Sequence, residues 1–119
     1  MLSRSYRIQG EKNVARVYRQ GQSARAGQLS LKYAPNRLEH SRLAVVVSKK
    51  ISKSAPVRNR IRRRLYERFR HHQPHIRPGY DLVLSVFADD LAALPSAELD
   101  TLLKDILQRA KLWDTATSA

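Results

Sequence analysis

The chain has 119 residues, 42% of them hydrophobic, with 23 Lys and Arg against 10 Asp and Glu for a formal net charge of +13. That length fits one domain with one modest core and is too short for two cores of ordinary size. The lack of cysteine excludes disulfides and thiolate zinc sites, and there is neither an apolar run of about 18 residues for a membrane helix nor a continuous apolar stretch in residues 1–21 for a signal peptide. The sequence therefore reads as cytoplasmic, with no membrane partner.

The charge is segregated. Residues 1–78 hold 20 basic and 3 acidic side chains, net +17; residues 79–119 hold 3 and 7, net −4. A surface serving solubility alone would mix the signs, so the first two thirds imply a polyanionic partner. Nucleic acid fits better than an anionic membrane, because the basic segments lack the strongly apolar opposite face of an interfacial helix.

In chain order, Val14, Val17 and Tyr18 stand at helical spacing and predict a helix over Glu11 to Gln20, stopped by Gly21. Gly21 to Gly27 leaves room for a short edge strand. Gln28 to Ala34 alternates Leu29, Leu31 and Tyr33 against Ser30 and Lys32, the pattern of a strand with one buried face. Pro35 and Asn36 end it, and a polar linker runs to Ser41. Arg42 to Ser48 is a continuous apolar run, suited to a central strand covered on both faces. Lys49 to Ala55 is a basic loop, and Pro56 suits the first turn of a helix. Val57, Ile61, Leu65 and Phe69 then recur every four residues as one apolar stripe, and this helix should fade near His71 to Pro74. Gly79 to Phe87 reads as another strand. Ser96 is a candidate cap for a last helix, with Glu98 in its first turn. The core-facing stripe of that helix is Leu99, Leu102, Leu103, Ile106, Leu107, Ala110 and Trp113. The tail from Asp114 should fray. The order αβββαβα defines an α+β fold.

Lys49 to Arg70 concentrates the chemistry. It carries ten basic residues and one acid, Glu67. Arginine dominates, and its planar donor fork matches phosphate oxygens two at a time. With the apolar stripe turned inward, the arginines are expected to point outward and sideways. Arg58 and Arg62 lie one turn apart, as do Arg60 and Arg64, and such like-charged rows repel unless a polyanion neutralises them.

The run Arg58-Asn59-Arg60-Ile61-Arg62-Arg63, preceded by Val47-Ser48-Lys49-Lys50 and a loop containing Lys53-Ser54-Ala55, resembles the signature of the bacterial ribonuclease P protein family. Val17, Tyr18 and Gly21, the opening Gly79-Tyr80-Asp81 and the Leu-rich last helix fit the same family, over about residues 7–113. The resemblance implies a small two-layer sandwich with a mixed four-stranded sheet, like some ribosomal-protein folds and a domain of elongation factor G. It implies a left-handed βαβ crossover against the general rule. Residues 1–113 would form the single domain and 114–119 a frayed tail. The resemblance also implies that the catalyst is an RNA subunit with Mg2+, bound mainly by that RNA and the substrate. The protein would contact the RNA subunit through Lys49, Lys50, Lys53, Arg58, Asn59, Arg60, Arg62 and Arg63. It would take the 5′ leader of precursor tRNA in a cleft between the first helix and the sheet, at Val14, Tyr18, Ser30 and Lys32. It would carry no metal site or catalytic residue and would need no protein partner. The chain departs from the family pattern at Tyr66, usually Arg; at Val14, usually Phe; at Lys32, often aromatic; and at Phe87, commonly basic.

Other constellations are weaker. Val14 and Tyr18 could be plain core, as could Leu29, Leu31 and Tyr33. His71 and His75 have the i, i+4 spacing of a metal pair, but a solvated helix end explains them as well. Asp81, Asp89 and Asp90 invite a magnesium-nuclease reading, though Asp89-Asp90 suits the start of a loop. No Ser/His/Asp or Cys/His set, Gly-rich phosphate loop or paired-carboxylate motif stands out. A self-sufficient nuclease using His71, His72 or His75, or a ribosome-associated RNA-binding protein, is the alternative.

Overall fold

The structure, a computed structural model, describes residues 6–8 and 10–114. Among these residues three helices, α1 (Glu11–Gln20), α2 (Ala55–His72) and α3 (Ser96–Arg109), combine with strands β1 (Gln22–Ala26), β2 (Leu29–Pro35), β3 (Arg42–Val46) and β4 (Tyr80–Val86) in the order αβββαβα. Short 3-10 turns span Gln73–His75 and Asp89–Ala92.

The four strands form one mixed sheet in the order β1-β2-β4-β3. β1 and β2 are antiparallel, as are β2 and β4, while β3 and β4 run parallel. Parallel neighbours need a crossover, which α2 supplies. Because side chains alternate along a strand, register decides what each face offers. Leu29 and Leu31 of β2, Leu43 and Val45 of β3, and Leu82, Leu84 and Val86 of β4 point one way. They pack against Ile61, Leu65 and Phe69 of α2 and Leu99, Leu103, Ile106 and Leu107 of α3. The four-residue stripe of α2 is thus its core face, with Val57 partly buried at its start.

Three expectations need correction. The apolar run Arg42 to Ser48 is not central: β3 lies at the sheet's end, and only Leu43, Val45 and Val47 face the core. Ala44 is partly covered from the other side, and Val46 is exposed. The segment before α1 shields that edge in part, as Arg7 bridges Leu43 and the Ile8 N–H donates to the Leu43 carbonyl at 3.0 Å. Ser96 does not cap α3; Pro95 is the N-cap residue, and no side chain bonds there. Asp114 is held, its N–H donating to the His75 carbonyl at 2.6 Å, beside a bridge between Ile76 and Trp113. Residues 115–119 of the expected frayed tail lie outside the described residues.

Of the described helices, α1 alone lies on the opposite face of the sheet. Val17, fully buried, seats on Ala34 and Val83, with Ile8, Val14 and Ala44 around them. Gly21 permits the sharp return from α1 into β1. A Cβ there would stand 2.3 Å from the Val17 carbonyl oxygen and 2.9 Å from that of Tyr33, both backbone atoms that cannot give way.

Candidate RNA-binding surfaces

α1 is pinned by one carboxylate. Asp81 is fully buried at the start of β4. Its Oδ2 accepts from Arg16 and Arg42 at 2.6 Å each, and its Oδ1 from Arg42 Nε at 2.8 Å and Asn36 at 2.9 Å. Arg16 also donates to the Pro35 carbonyl at 3.0 Å. Burial pushes the Asp81 carboxyl up, but hydrogen bonds from Arg42 and Asn36 and the charges of Arg42 and Arg16 together hold it below the usual carboxylate range. The arrangement ties α1, β3 and the β2–β3 loop to β4. It leaves Asp81 structural, since four donors occupy its two oxygens.

α1 covers only part of its face. Beside it lies a cleft of about 380 Å³ lined by Tyr18, Ser30, Lys32, Val46, Ser85 and Phe87, with Ser48 and Ile51 at its rim. Tyr18, Val46 and Phe87 are 45%, 38% and 50% exposed. The Tyr18 hydroxyl lies 3.3 Å from the Ser85 hydroxyl, so the ring spans the gap between helix and sheet. Register aligns Arg25, Ser30, Ser85 and Val46 in one row across all four strands, about 14 Å at the usual strand spacing. The Arg25 guanidinium sits over the Phe87 ring, 5.2 Å from its centroid. A positive charge thus returns from β1 to the position where Phe87 departs from the family pattern.

The structure brings Tyr18, Ser30 and Lys32 together in this cleft. Val14 is not among its lining residues; it sits partly buried toward Ile8 and lines a separate hollow with Gly10, Ala15 and Tyr18. Sequence parity located Ser30 and Lys32. Val46, Ser85 and Phe87 as lining residues, and Arg25 over the Phe87 ring, required the register between strands.

The second basic surface begins at the cleft's rim. Lys49, Lys50 and Lys53 are exposed on the loop after β3. Ser54 caps α2, its hydroxyl accepting from the Val57 N–H at 3.3 Å. Arg58 turns back to donate to the Ser52 carbonyl at 2.8 Å, so it shapes this loop and is only partly exposed. Asn59, Arg60 and Arg63 are exposed, and Arg62 donates to the Asn59 side chain. Grooves flank this ridge: one holds Arg7, Asn59, Arg62, Arg63 and Tyr66, the other Arg60, Arg63, Arg64 and Arg68 against Ser96 of α3.

Of the arginines expected to point outward and sideways, Arg64 and Arg68 take the sideways course. Arg64 donates to the carbonyls of Leu91 and Leu94, fastening the turn before α3. Arg68 pairs with Asp100 at 3.1 Å. Tyr66 reaches β3, where its hydroxyl accepts from the Val45 N–H at 3.2 Å, and Arg7 lies over its ring. Arg70 holds Glu67 down to about 2.

Of the histidines at the end of α2, His71 is exposed as a solvated helix end implies, whereas His72 and His75 are docked. His72 bonds Asp100 at 2.9 Å, and His75 stacks on Trp113 with centroids 5.1 Å apart. Asp90 accepts from Gln28 at 3.0 Å. Among the described residues no three His, Asp or Glu side chains gather as a metal site, and no helix is long and apolar enough to cross a membrane.

An arginine-rich helix beside an uncovered, basic, aromatic-bearing sheet face defines an RNA-binding α+β protein. The Ribonuclease P family model matches residues 2–111. The chain is 39% identical over 117 residues to the ribonuclease P protein component of Roseiflexus castenholzii, covering 98% of this chain and 95% of the relative. The structure of the Staphylococcus aureus RNase P protein superposes with a TM-score of 0.79 at 28% identity, over 92% of this chain and 98% of that one. The RNase P protein of Thermotoga maritima shares the fold, with a TM-score of 0.79 at 23% identity over 87% and 96%. The chain belongs to the bacterial ribonuclease P protein family, the protein component of the ribonucleoprotein that matures tRNA 5′ ends, and its partner is the RNA subunit of that enzyme.

Proposed function

We propose that this subunit works through two adjoining RNA contacts in the cytoplasm. The cleft of Tyr18, Ser30 and Lys32 receives the 5′ leader of precursor tRNA. The face of Lys49, Lys50, Lys53, Arg58, Asn59, Arg60, Arg62 and Arg63 docks on the RNA subunit, with Arg58 acting through the loop it shapes. Val14 supports α1 and meets the leader only at the hollow beside Tyr18. The observation that carries the reading is the cleft's composition. Two exposed rings, Tyr18 and Phe87, stand beside Lys32 and Arg25 on a sheet face that α1 leaves open. Rings stack on any base, and cations meet any phosphate, so such a cleft holds a single strand with little sequence preference. Because the lysine loop continues from the cleft's rim, a bound leader would lie beside the RNA subunit.

Hydrolysis of the phosphodiester bond is assigned to the RNA subunit, with Mg2+ held by RNA. The three carboxylates that invite a magnesium reading, Asp81, Asp89 and Asp90, fit the ion poorly. Asp81 is saturated by donors, and Asp89 and Asp90 sit on an exposed turn where Asp90 binds Gln28. The test is a cleavage assay on precursor tRNA with protein alone, RNA subunit alone and both, in Mg2+. Cleavage is expected only where the RNA subunit is present, with tighter precursor binding when the protein is added. Robust cleavage by RNA-free, nuclease-clean protein would overturn the assignment.

A further inference from the structure

A second notch, of about 380 Å³, opens away from the leader cleft, where β2 ends and β4 begins. Gln22, Tyr33, Arg77, Tyr80, Arg109 and Lys111 line it. Tyr33 belongs to the sheet face that carries the main core, opposite Ser30 and Lys32, so the notch and the cleft lie on different sides of β2. α3 has run out by this point, which leaves Tyr33 and Tyr80 partly exposed. Their rings meet edge to face, 6.4 Å between centroids, and the Tyr33 hydroxyl donates to Gln22 at 3.1 Å.

The charges here are unusual for their region. Residues 79–119 contain only three basic side chains, Lys104, Arg109 and Lys111. Two of the three line this notch, and Arg77 joins them. Arg109 is shared with Asp105 at 3.0 Å, whereas Arg77 and Lys111 have no acidic partner among the described residues. Lys111 also occupies a position that favours glycine. The Lys111 N–H donates to the Gln108 carbonyl at 3.0 Å and the Leu112 N–H to that of Leu107 at 2.9 Å, a left-handed helix stop with Lys111 at φ 61°. A lysine is strained there and glycine is not, so the fold alone gives no reason for a lysine.

We propose that this notch binds one nucleotide of a single-stranded RNA segment, its base against Tyr80 and Tyr33 and its phosphate between Arg77 and Lys111. It is a third RNA contact, independent of the leader cleft and the α2 face. The RNA is either the RNA subunit or precursor tRNA, and one set of measurements separates them. The full chain and its Lys111→Gly and Arg77→Gln variants are melted, then titrated with the RNA subunit; the reconstituted holoenzymes are titrated with precursor tRNA. Lys111→Gly should melt at or above the parent temperature. Each variant should bind one of the two RNAs about tenfold more weakly, the effect of one lost charge-assisted contact. The log–log salt slope for that RNA should shrink by about one per cation removed. The RNA that is weakened identifies the source. If Lys111→Gly lowers the melt, Lys111→Asn, which also tolerates positive φ, is judged by the same criteria. Affinities within about twofold of the parent for both RNAs in the Arg77→Gln/Lys111→Gly double variant, with unchanged slopes, would overturn the proposal.

Discussion

Replacing Asp81 by Asn should release α1 from the sheet and expose how far the cleft depends on one carboxylate. Four hydrogen bonds from Arg16, Arg42 and Asn36 converge on it at 2.6 to 2.9 Å. Breaking a buried pair by removing one partner costs about 3–5 kcal/mol. Arg16 and Arg42 keep 25% and 18% of their side-chain surface in water, so both recover some hydration; screening of this kind favours the lower end, about 3 kcal/mol. For a chain of this size that is a fall in Tm of roughly 10–15 °C. The effect should depend on pH with a definite sign. The Asp81 pKa is lowered in the fold, so its contribution is fully present above the unfolded value of about 4 and is lost as pH falls through the folded value. The gap between the melts of parent and variant should therefore narrow as pH falls below about 4. Binding supplies a second readout, because Arg16 anchors α1 whereas the α2 face does not touch Asp81. Affinity of the holoenzyme for precursor tRNA should fall more than affinity of the protein for the RNA subunit. A variant melting within about 3 °C of the parent at pH 7, or a gap that stays constant down to pH 3, would refute this account of Asp81.

Two further outcomes follow from the geometry. Arg60→Ala should leave the melt nearly unchanged while weakening assembly with the RNA subunit by about 1.5–3 kcal/mol, and Ile61→Ala, fully buried, should instead lose about 2–5 kcal/mol of stability; thermal melts beside binding curves separate the two, and a reversed pattern would mean that α2 is turned the other way. Gly21→Ala should destabilise the chain by about 1–3 kcal/mol, since the added Cβ meets two backbone oxygens, and a denaturant titration with no shift in midpoint would contradict the tight return from α1.

The local elements were legible because their signals are local. The bounds of α1, the stripe of α2 and the alternation of β2 each follow from side-chain period, and the structure repeats them. Sheet order is a property of distant segments, so Arg42 to Ser48 looked central. A run of Leu43, Ala44, Val45, Val46 and Val47 reads the same whether its second face meets a full layer or only part of one short helix. The contacts of Arg64 and Arg68 were beyond the sequence for a related reason. Both residues flank the stripe, one residue before Leu65 and Phe69, and nothing local separates an arginine facing solvent from one reaching a neighbouring turn or Asp100. Their spacing of four beside the stripe, set against an acidic last helix, was the available hint. In the cleft, Ser30 and Lys32 followed from parity, while the Arg25–Phe87 contact depends on the register that places β1 beside β2 and β2 beside β4.

Holoenzyme affinity for precursor tRNA against mature tRNA, measured for the parent and for Tyr18→Ala, tests the leader cleft most directly. Tyr18 is exposed and touches the sheet only through its hydroxyl hydrogen bond to Ser85 among the described polar contacts, so its removal should barely affect folding. A base stacked on its ring would contribute about 1–3 kcal/mol, and mature tRNA has no leader to stack. Tyr18→Ala should weaken precursor binding by about fivefold or more while leaving mature tRNA affinity unchanged. Equal loss for both ligands, or no loss for either, would contradict a leader track across Tyr18, Ser30 and Lys32.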